Sequence, residues 1–186
     1  MTKVMVAIAS GSEEIEAVSI IDVLRRAEII VDVVSIEADK RLEIVASRGV
    51  KLVADLHISD IDPANYQMLV LPGGVPGSEA FRDCESLIAM LKKRNTKQWL
   101  AAICAAPAVV LAEHNLLGDA VVTCHPGFQQ QLPQNQLSVD RVVVDQEHKL
   151  ITSQGPGTAI EFSLALIAQL KDQQSANQVA APMVLT

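Results

Sequence analysis

Short apolar segments rich in Val and Ile alternate along this chain with segments of helical periodicity, and this alternation constrains the fold more than any other feature. The apolar segments predict strands at 4–9, 29–36, 68–71, 99–104, 121–123, 141–144 and 150–152. Helical spacing predicts helices at 14–27, within 79–94, and at 107–114, 156–170 and 175–181. The segments 42–46 and 50–54 flank the turn Ser47-Arg48-Gly49 and predict a small hairpin. Strands that alternate with helices predict an α/β fold, in which helices cover both faces of a mostly parallel sheet.

The length, net charge, apolar content and cysteine spacing of the chain limit the class of protein to which it can belong. A length of 186 residues without repeats or linkers predicts a single domain over 1–186. The net charge of -7 argues against a nucleic-acid backbone as the main partner. No apolar stretch is long enough to cross a membrane, and the three cysteines have no spacing typical of a disulfide framework. These features predict a cytoplasmic protein without a signal peptide.

Cys104 lies where the apolar run gives way to a helix that begins near Pro107. A thiol at such a junction lies beside free main-chain N–H groups and the positive end of a helix dipole, and both favour the thiolate. The small residues Ala105 and Ala106 leave the sulfur and these N–H groups open to a substrate. Cys104 is therefore a candidate nucleophile whose pKa we expect to be lowered. The alternative is that Cys104 is a small buried hydrophobe, as a free Cys commonly is.

The first predicted helix carries an acidic candidate partner for this thiol. Glu16 shares a helical face with Ile20, Val23 and Ala27, so its side chain is expected to point toward the sheet. Burial would raise the pKa of this carboxyl, and a protonated carboxyl can donate a hydrogen bond to a neighbouring anion. The alternative is a Glu16 that reaches solvent or pairs with Arg26.

Two neighbouring carboxylates have other expected roles. Ser10 and Glu13 have the spacing of a capping box, which gives Glu13 a structural task at the helix start. Glu14 falls on the side of the helix shared with Arg25 and is expected to be solvated. Of the three carboxylates, only Glu16 is predicted to reach the sheet edge where the strand before Cys104 ends.

The segment Leu71-Pro72-Gly73-Gly74-Val75-Pro76-Gly77 is a glycine-rich turn after a short strand. It lacks the Lys-Ser/Thr pair of a phosphate-binding loop, so a phosphate site is weakly supported. A second interpretation is that the N–H of Gly74 helps form an oxyanion hole with the N–H of Ala105. A plain turn built from Gly and Pro is the alternative without a function.

Among the four histidines, His125 is the candidate for a functional role because it follows a predicted strand and precedes Pro126-Gly127. A Cys with a nearby His is the minimal pair of nucleophile and base. The adjacent Cys124 and His125 could also ligate a metal, but no third and fourth ligand occur at zinc spacing, so no metal is predicted. His57 and His148 stand among polar residues and are expected to face solvent.

Taken together, these motifs resemble the ThiJ/PfpI superfamily, and within it the branch of the parkinsonism-associated protein deglycase and bacterial YajL. The resemblance covers nearly the whole chain. It is carried by five ordered motifs, Gly11-Ser12-Glu13-Glu14-Ile15-Glu16-Ala17, Leu71-Pro72-Gly73-Gly74, Ala101-Ala102-Ile103-Cys104-Ala105-Ala106-Pro107, His125-Pro126 and Thr152-Ser153-Gln154-Gly155-Pro156-Gly157-Thr158.

The resemblance implies a flavodoxin-like sandwich, a homodimer and no cofactor. It implies an oxidation-sensitive nucleophile at Cys104, a protonated Glu16 that hydrogen-bonds it, and His125 as the nearby base. The N–H groups of Gly74 and Ala105 are implied as backbone donors. Arg48, in the predicted hairpin, is a candidate to reach the site of a dimer partner.

Two functions from different classes follow from the resemblance. The first is a glutathione-independent glyoxalase and deglycase that acts on methylglyoxal, glyoxal and their adducts on proteins or nucleotides. The second is a non-enzymatic redox sensor or holdase chaperone whose thiol is oxidised under stress. A protease is not predicted, because the residue after Cys104 is Ala105 rather than His. A glutamine amidotransferase is not predicted either, because His148 is followed by Lys149 and Leu150 rather than by the late His-x-Glu pair.

Overall fold

The computed structural model describes residues 2–185, so the end positions 1 and 186 of the predicted domain lie outside the described residues. Its strands are β1 (Lys3–Ile8), β2 (Ile30–Ser35), β3 (Glu43–Val45), β4 (Lys51–Val53), β5 (Leu56–His57), β6 (Met68–Leu71), β7 (Trp99–Ile103), β8 (Val142–Asp145) and β9 (Leu150–Ser153). Its α-helices are α1 (Glu14–Arg26), α2 (Val75–Asp83), α3 (Glu85–Lys92), α4 (Ala159–Leu170) and α5 (Gln173–Ala180). Shorter turns include a π-helical segment, Pro107–Ala112, and a 3-10 helix, Pro126–Gln131.

Seven of these strands form one sheet in the order β5-β2-β1-β6-β7-β9-β8. Its neighbouring strands run parallel except for β8 and β9, which pair antiparallel. The five consecutive strands β2-β1-β6-β7-β9 have the order of a flavodoxin-like sheet. The predicted fold class is therefore confirmed.

The sheet is apolar on both faces, as parallel strands between helical layers must be. In β1, Val4, Val6 and Ile8 face one core cluster, while Met5 and Ala7 face the other. Helices α1 and α4 pack together on the first face. Helices α2 and α3 and the π-helical segment contribute to the second cluster. Within residues 2–185, no helix combines the length and the apolar character that crossing a bilayer requires.

Three local predictions need correction and one is confirmed. The single helix predicted within 79–94 is two helices, α2 and α3, and α2 begins earlier, at Val75. The segment 121–123 is not a strand of the sheet, because the N–H groups of Val121 and Thr123 bond to the side chains of Asp145 and Thr152 rather than to strand carbonyls. The helix predicted at 107–114 is the shorter π-helical segment that ends at Ala112. The predicted hairpin is present as the antiparallel ribbon β3–β4.

The strand order places a crevice where β1 and β6 lie side by side, because the chain leaves these two strands toward opposite edges of the sheet. In open parallel sheets, ligands bind outside the carboxyl ends of the strands at such a switch point. The turn before α1, the turn Gly73-Gly74 and Cys104 follow β1, β6 and β7 respectively, so they meet at this edge.

Candidate active site

Cys104 is the residue immediately after β7, and its backbone has a φ of +66°. A left-handed conformation is strained for a residue with a side chain and is typical of a nucleophile at a strand-to-helix turn. A main-chain hydrogen bond stabilises this conformation, because the Cys104 N–H donates to the Ser153 carbonyl oxygen at 3.0 Å. The side chain is 9% exposed, and it lines a cavity of about 360 Å³. The sequence predicted this junction, but nothing in it indicated the positive φ.

Glu16 lies beside Cys104 with no exposed surface. Its Oε2 accepts the Gly73 N–H at 2.6 Å, while Oε1 has no hydrogen-bond partner within residues 2–185. An atom at the Cβ position of Gly73 would lie 2.4 Å from Cys104 Cβ and 2.7 Å from Glu16 Oε2. The carboxyl and the thiol therefore converge over Gly73, and only a glycine leaves room for both. The inward orientation predicted for Glu16 is confirmed.

The Glu16 carboxyl and the Cys104 thiol are not both ionised near neutral pH. Burial raises the pKa of Glu16 to about 7, although the Gly73 N–H and the Cys104 thiol pull it down. Burial, followed by the negative charge of Glu16, raises the pKa of Cys104 to about 12. The expected lowering of the Cys104 pKa is therefore wrong, because desolvation and the charge of Glu16 outweigh the lowering by the Gly74 and Ala105 N–H groups. Near neutral pH the pair gains or loses its proton at the carboxyl.

The two predicted main-chain donors lie next to the sulfur. The N–H groups of Gly74 and Ala105 oppose the rise of the Cys104 pKa. Gly74 has a φ of +85° and is the N-cap residue of α2, so its N–H lies outside that helix. Negative charge that develops at the sulfur meets these two donors without any rearrangement.

The start of α1 differs from the predicted capping box. Glu13 itself is the N-cap residue, and its Oε2 accepts the Glu16 N–H at 2.8 Å. Ser10 is not the cap, since its hydroxyl accepts from Arg41. This cap fixes the first turn of α1 and so the position of Glu16, and its own negative charge adds to the raised pKa of Glu16.

Glu14 is a residue whose role the sequence did not reveal. It is buried, and its carboxylate accepts the Ser47 hydroxyl and the Arg48 N–H, each at 2.7 Å. The prediction of a solvated Glu14 is wrong because the β3–β4 turn folds against the first turn of α1, which a helical wheel cannot show. These two hydrogen bonds place Arg48 at the cavity that Cys104 of the same chain also lines. Within residues 2–185, the Arg48 guanidinium makes no ion pair.

His125 lines the cavity together with Cys104. The His125 N–H donates to the Cys104 carbonyl oxygen at 2.9 Å, so the two residues are tied through the main chain. The predicted proximity of the three side-chain candidates is thus present in the structure. By contrast, the expectation for His57 is wrong, because this residue is buried and bonded to Ser59 and the Glu37 carbonyl. His148 is half-buried beside Asp145.

Comparison with known proteins matches residues 2–169 to the model of the DJ-1/PfpI family. "Protein DJ-1 homolog B" of Arabidopsis thaliana is 41% identical over 185 residues, which are 98% of this chain and 41% of that protein. The chain thus spans less than half the length of this plant relative. "Glutathione-independent glyoxalase DJR-1.2" of Caenorhabditis elegans is 31% identical over 94% of this chain and 91% of the relative. The solved structure "Toxoplasma gondii DJ-1, oxidized" superimposes with a TM-score of 0.93 and 44% identity, covering 99% of this chain and 98% of that chain.

Proposed function

The chain belongs to the DJ-1/PfpI family, and we propose that it is a cysteine-dependent, glutathione-independent glyoxalase that also acts as a deglycase on methylglyoxal and glyoxal adducts. The observation that carries this proposal is the convergence of the Cys104 thiol with a buried carboxyl whose pKa is raised to about 7. A general base is most effective when its pKa lies near the working pH. A relative 31% identical to the chain bears the name of a glutathione-independent glyoxalase, which supports the same reaction class.

In the proposed first step, the Cys104 thiol gives its proton to ionised Glu16 while the sulfur attacks the aldehyde carbon of methylglyoxal. The N–H groups of Gly74 and Ala105 stabilise the negative charge that develops on the aldehyde oxygen. Glu16 then passes the thiol proton to this oxygen, which completes a hemithioacetal and leaves Glu16 ionised again. This order of events suits the raised pKa of Cys104, because the thiolate forms only as the carboxylate takes the proton.

The second half of the reaction needs no external oxidant. Ionised Glu16 removes the hydrogen of the attacked carbon as a proton, which gives an enediol, and returns that proton to the neighbouring carbon. The hydroxyl proton of the attacked carbon moves to the oxygen of the neighbouring carbon, so the hemithioacetal becomes a thioester of a 2-hydroxy acid. Water then cleaves the thioester, so methylglyoxal plus one water gives lactate, or glyoxal plus one water gives glycolate, and the Cys104 thiol is restored. Adducts on Cys, Lys or Arg side chains hold this carbon bonded to a hydroxyl group and to the side-chain sulfur or nitrogen. Breaking that C–S or C–N bond, with the hydroxyl proton passing to the leaving sulfur or nitrogen, restores the aldehyde carbon that Cys104 attacks, which is why the proposal includes these adducts.

A redox sensor or holdase is the second candidate, and the surroundings of the sulfur favour it. The Gly74 and Ala105 N–H groups and a protonated Glu16 are donors that can hold sulfinate oxygens. Each oxidation step transfers one oxygen atom from peroxide to the sulfur and releases one water. The structurally similar Toxoplasma gondii DJ-1 is described as oxidized.

Methylglyoxal turnover without glutathione separates the two candidates. Wild-type protein should form lactate, and Cys104→Ser should lower kcat/KM by about 10³-fold or more because the nucleophile is lost. Cys84→Ser is the matched control, since Cys84 is a half-buried free thiol outside the cavity, and it should retain wild-type turnover. Peroxide titration followed by intact mass is run on the same samples. Selective oxidation of Cys104 with negligible lactate formation would favour the sensor and overturn the enzyme proposal.

We also infer a homodimer that forms through a ribbon–helix patch, defined as the exposed apolar side chains of Ile15, Val18, Val45, Val50 and Val53. Ile15 and Val18 lie three residues apart on α1. The three valines belong to the β3–β4 ribbon and its turn, and this turn is hydrogen-bonded to Glu14 of α1. Val53 is 67% exposed. An apolar surface shared by a helix and a ribbon is typical of a protein–protein interface.

Val53→Glu should convert the dimer into a monomer in light scattering after gel filtration, because a buried, unpaired carboxylate destabilises an interface by several kcal/mol. Val139→Glu is the control, since Val139 is also strongly exposed but lies outside the patch. A monomeric wild type, or a Val53→Glu protein that remains dimeric, would exclude this interface.

A further inference from the structure

The His125 side chain is fixed by an unusual cap. His125 is the N-cap residue of the 3-10 helix Pro126–Gln131, and its Nδ1 accepts the Gly127 N–H at 3.1 Å. The Phe128 N–H donates to the His125 carbonyl oxygen at 2.8 Å, which closes the same turn. Ser, Thr, Asp and Asn usually supply the acceptor at such a position. Here a ring nitrogen does so.

Two neighbours contact the imidazole, which is otherwise exposed. The Phe128 ring meets it edge-on, with 6.2 Å between ring centroids and 68° between planes. On the other side, an atom at the Cβ position of Gly155 would lie 3.4 Å from His125 Cδ2. Within residues 2–185, no hydrogen bond is made by His125 Nε2, and the residue lines the cavity that contains Cys104. The remaining ring nitrogen is therefore the one available to a substrate.

The cap determines which nitrogen carries the hydrogen. A nitrogen that accepts an N–H uses its lone pair for that bond, so the hydrogen of the neutral imidazole must lie on Nε2. An Nε2 that already carries hydrogen has no lone pair with which to take a proton. A second proton could enter only at Nδ1, where it would face the Gly127 N–H and break the cap.

We propose that His125 acts as a hydrogen-bond donor through Nε2 to the oxygen of the aldehyde carbon attacked by Cys104, and not as the base. This inference rests on the proposed function for its substrate, although the tautomer itself does not depend on turnover. The base role passes to Glu16, which already has its carboxyl beside the thiol. The nearby-base role that the resemblance implied for His125 is thereby replaced.

Long-range nitrogen–proton NMR correlations of the full chain at pH 8 test the tautomer directly. We expect the His125 ring to show the pattern of a hydrogen on Nε2, with its signals assigned by their loss in His125→Gln. The chain contains two internal standards. His57 accepts the Ser59 N–H at Nδ1 and should give the same pattern, whereas His148 places Nδ1 on the Asp145 carboxylate and should give the opposite one. A hydrogen on Nδ1 of His125, or the averaged pattern of a free imidazole, would overturn the proposal.

Substitutions test the role in catalysis. Gln places an amide nitrogen near the position of Nε2, so His125→Gln should keep kcat for methylglyoxal within about 10-fold of wild type. His125→Asn places its amide nitrogen near Nδ1, and it should lose about 10²-fold in kcat, as His125→Ala should. If His125 were the base, Gln would be as poor as Ala, and that result would reject the donor role. If wild-type protein shows no turnover, the proposed function fails, while the NMR result still decides the tautomer.

Discussion

Gly74→Ala should destabilise the protein by about 3 to 5 kcal/mol, whereas Gly49→Ala should cost only about 1 to 2 kcal/mol. Both glycines have a positive φ, +85° and +90° respectively, so the backbone strain of an added side chain is nearly the same. They differ in their surroundings. A Cβ at Gly74 would lie 2.3 Å from the Gly11 carbonyl oxygen and 2.6 Å from the Glu13 nitrogen, while a Cβ at Gly49 meets nothing within 4 Å. Urea unfolding of the two variants measures the difference.

The same substitution should also remove the reactivity of the thiol. The clash pushes Gly74 away from the turn that precedes α1, and its N–H moves away from the Cys104 sulfur. We expect alkylation of Cys104 by iodoacetamide to slow at least 10-fold in Gly74→Ala and to be unchanged in Gly49→Ala. Equal losses of stability in the two variants would show that φ alone, and not the close approach of the turn before α1, requires glycine at position 74.

The sequence predicts much of the fold because its signals are local. Apolar strands and periodic helices alternate within short windows, and the position of Cys104 at the end of β7 follows from the run of residues before it. The inward orientation of Glu16 follows from spacing along a single helix. Each of these features depends on neighbours within a few residues, which is the range over which periodicity carries information.

The features that the sequence did not reveal depend on contacts between distant segments. Glu14 is buried only because Ser47 and Arg48, more than thirty residues away, fold against it. The raised pKa of Cys104 depends on burial by several elements and on the charge of Glu16. The sequence indicated the main-chain donors beside Cys104, but their effect on the pKa could not be weighed against desolvation.

The raised pKa of Glu16 should make stability depend on pH in a direction opposite to that of an ordinary paired carboxylate. Burial raises this pKa from its usual 4.5 to about 7, so between these values the folded protein binds more protons than the unfolded chain. The free energy of unfolding therefore falls as pH rises through this window. At about 1.4 kcal/mol for each pKa unit, the loss amounts to about 3 kcal/mol.

Urea unfolding from pH 4.5 to pH 8, at fixed protein concentration, measures this effect as the difference between wild type and Glu16→Gln. Wild type should lose about 3 kcal/mol relative to the variant, because Gln keeps the shape of the side chain but does not titrate. Ionisation of Cys104 does not contribute in this range, since burial raises its pKa to about 12. A constant difference between the two proteins would mean that the pKa of Glu16 is the same in the folded and the unfolded chain, which would contradict its burial beside Cys104.

Glu14 provides the matched control, two residues away on the same helix. Burial pushes the pKa of Glu14 up, but hydrogen bonds from Ser47 and Arg48 outweigh it, and the pKa is lowered. This carboxylate therefore stabilises the fold above its unfolded pKa and loses that contribution as pH falls. The difference between wild type and Glu14→Gln should grow in favour of wild type as pH rises from acid, opposite in sign to the Glu16 series. At Glu16 the effect of burial on the pKa outweighs the hydrogen bonds, whereas at Glu14 the hydrogen bonds outweigh burial. The same sign in both series would therefore contradict the geometry of the site.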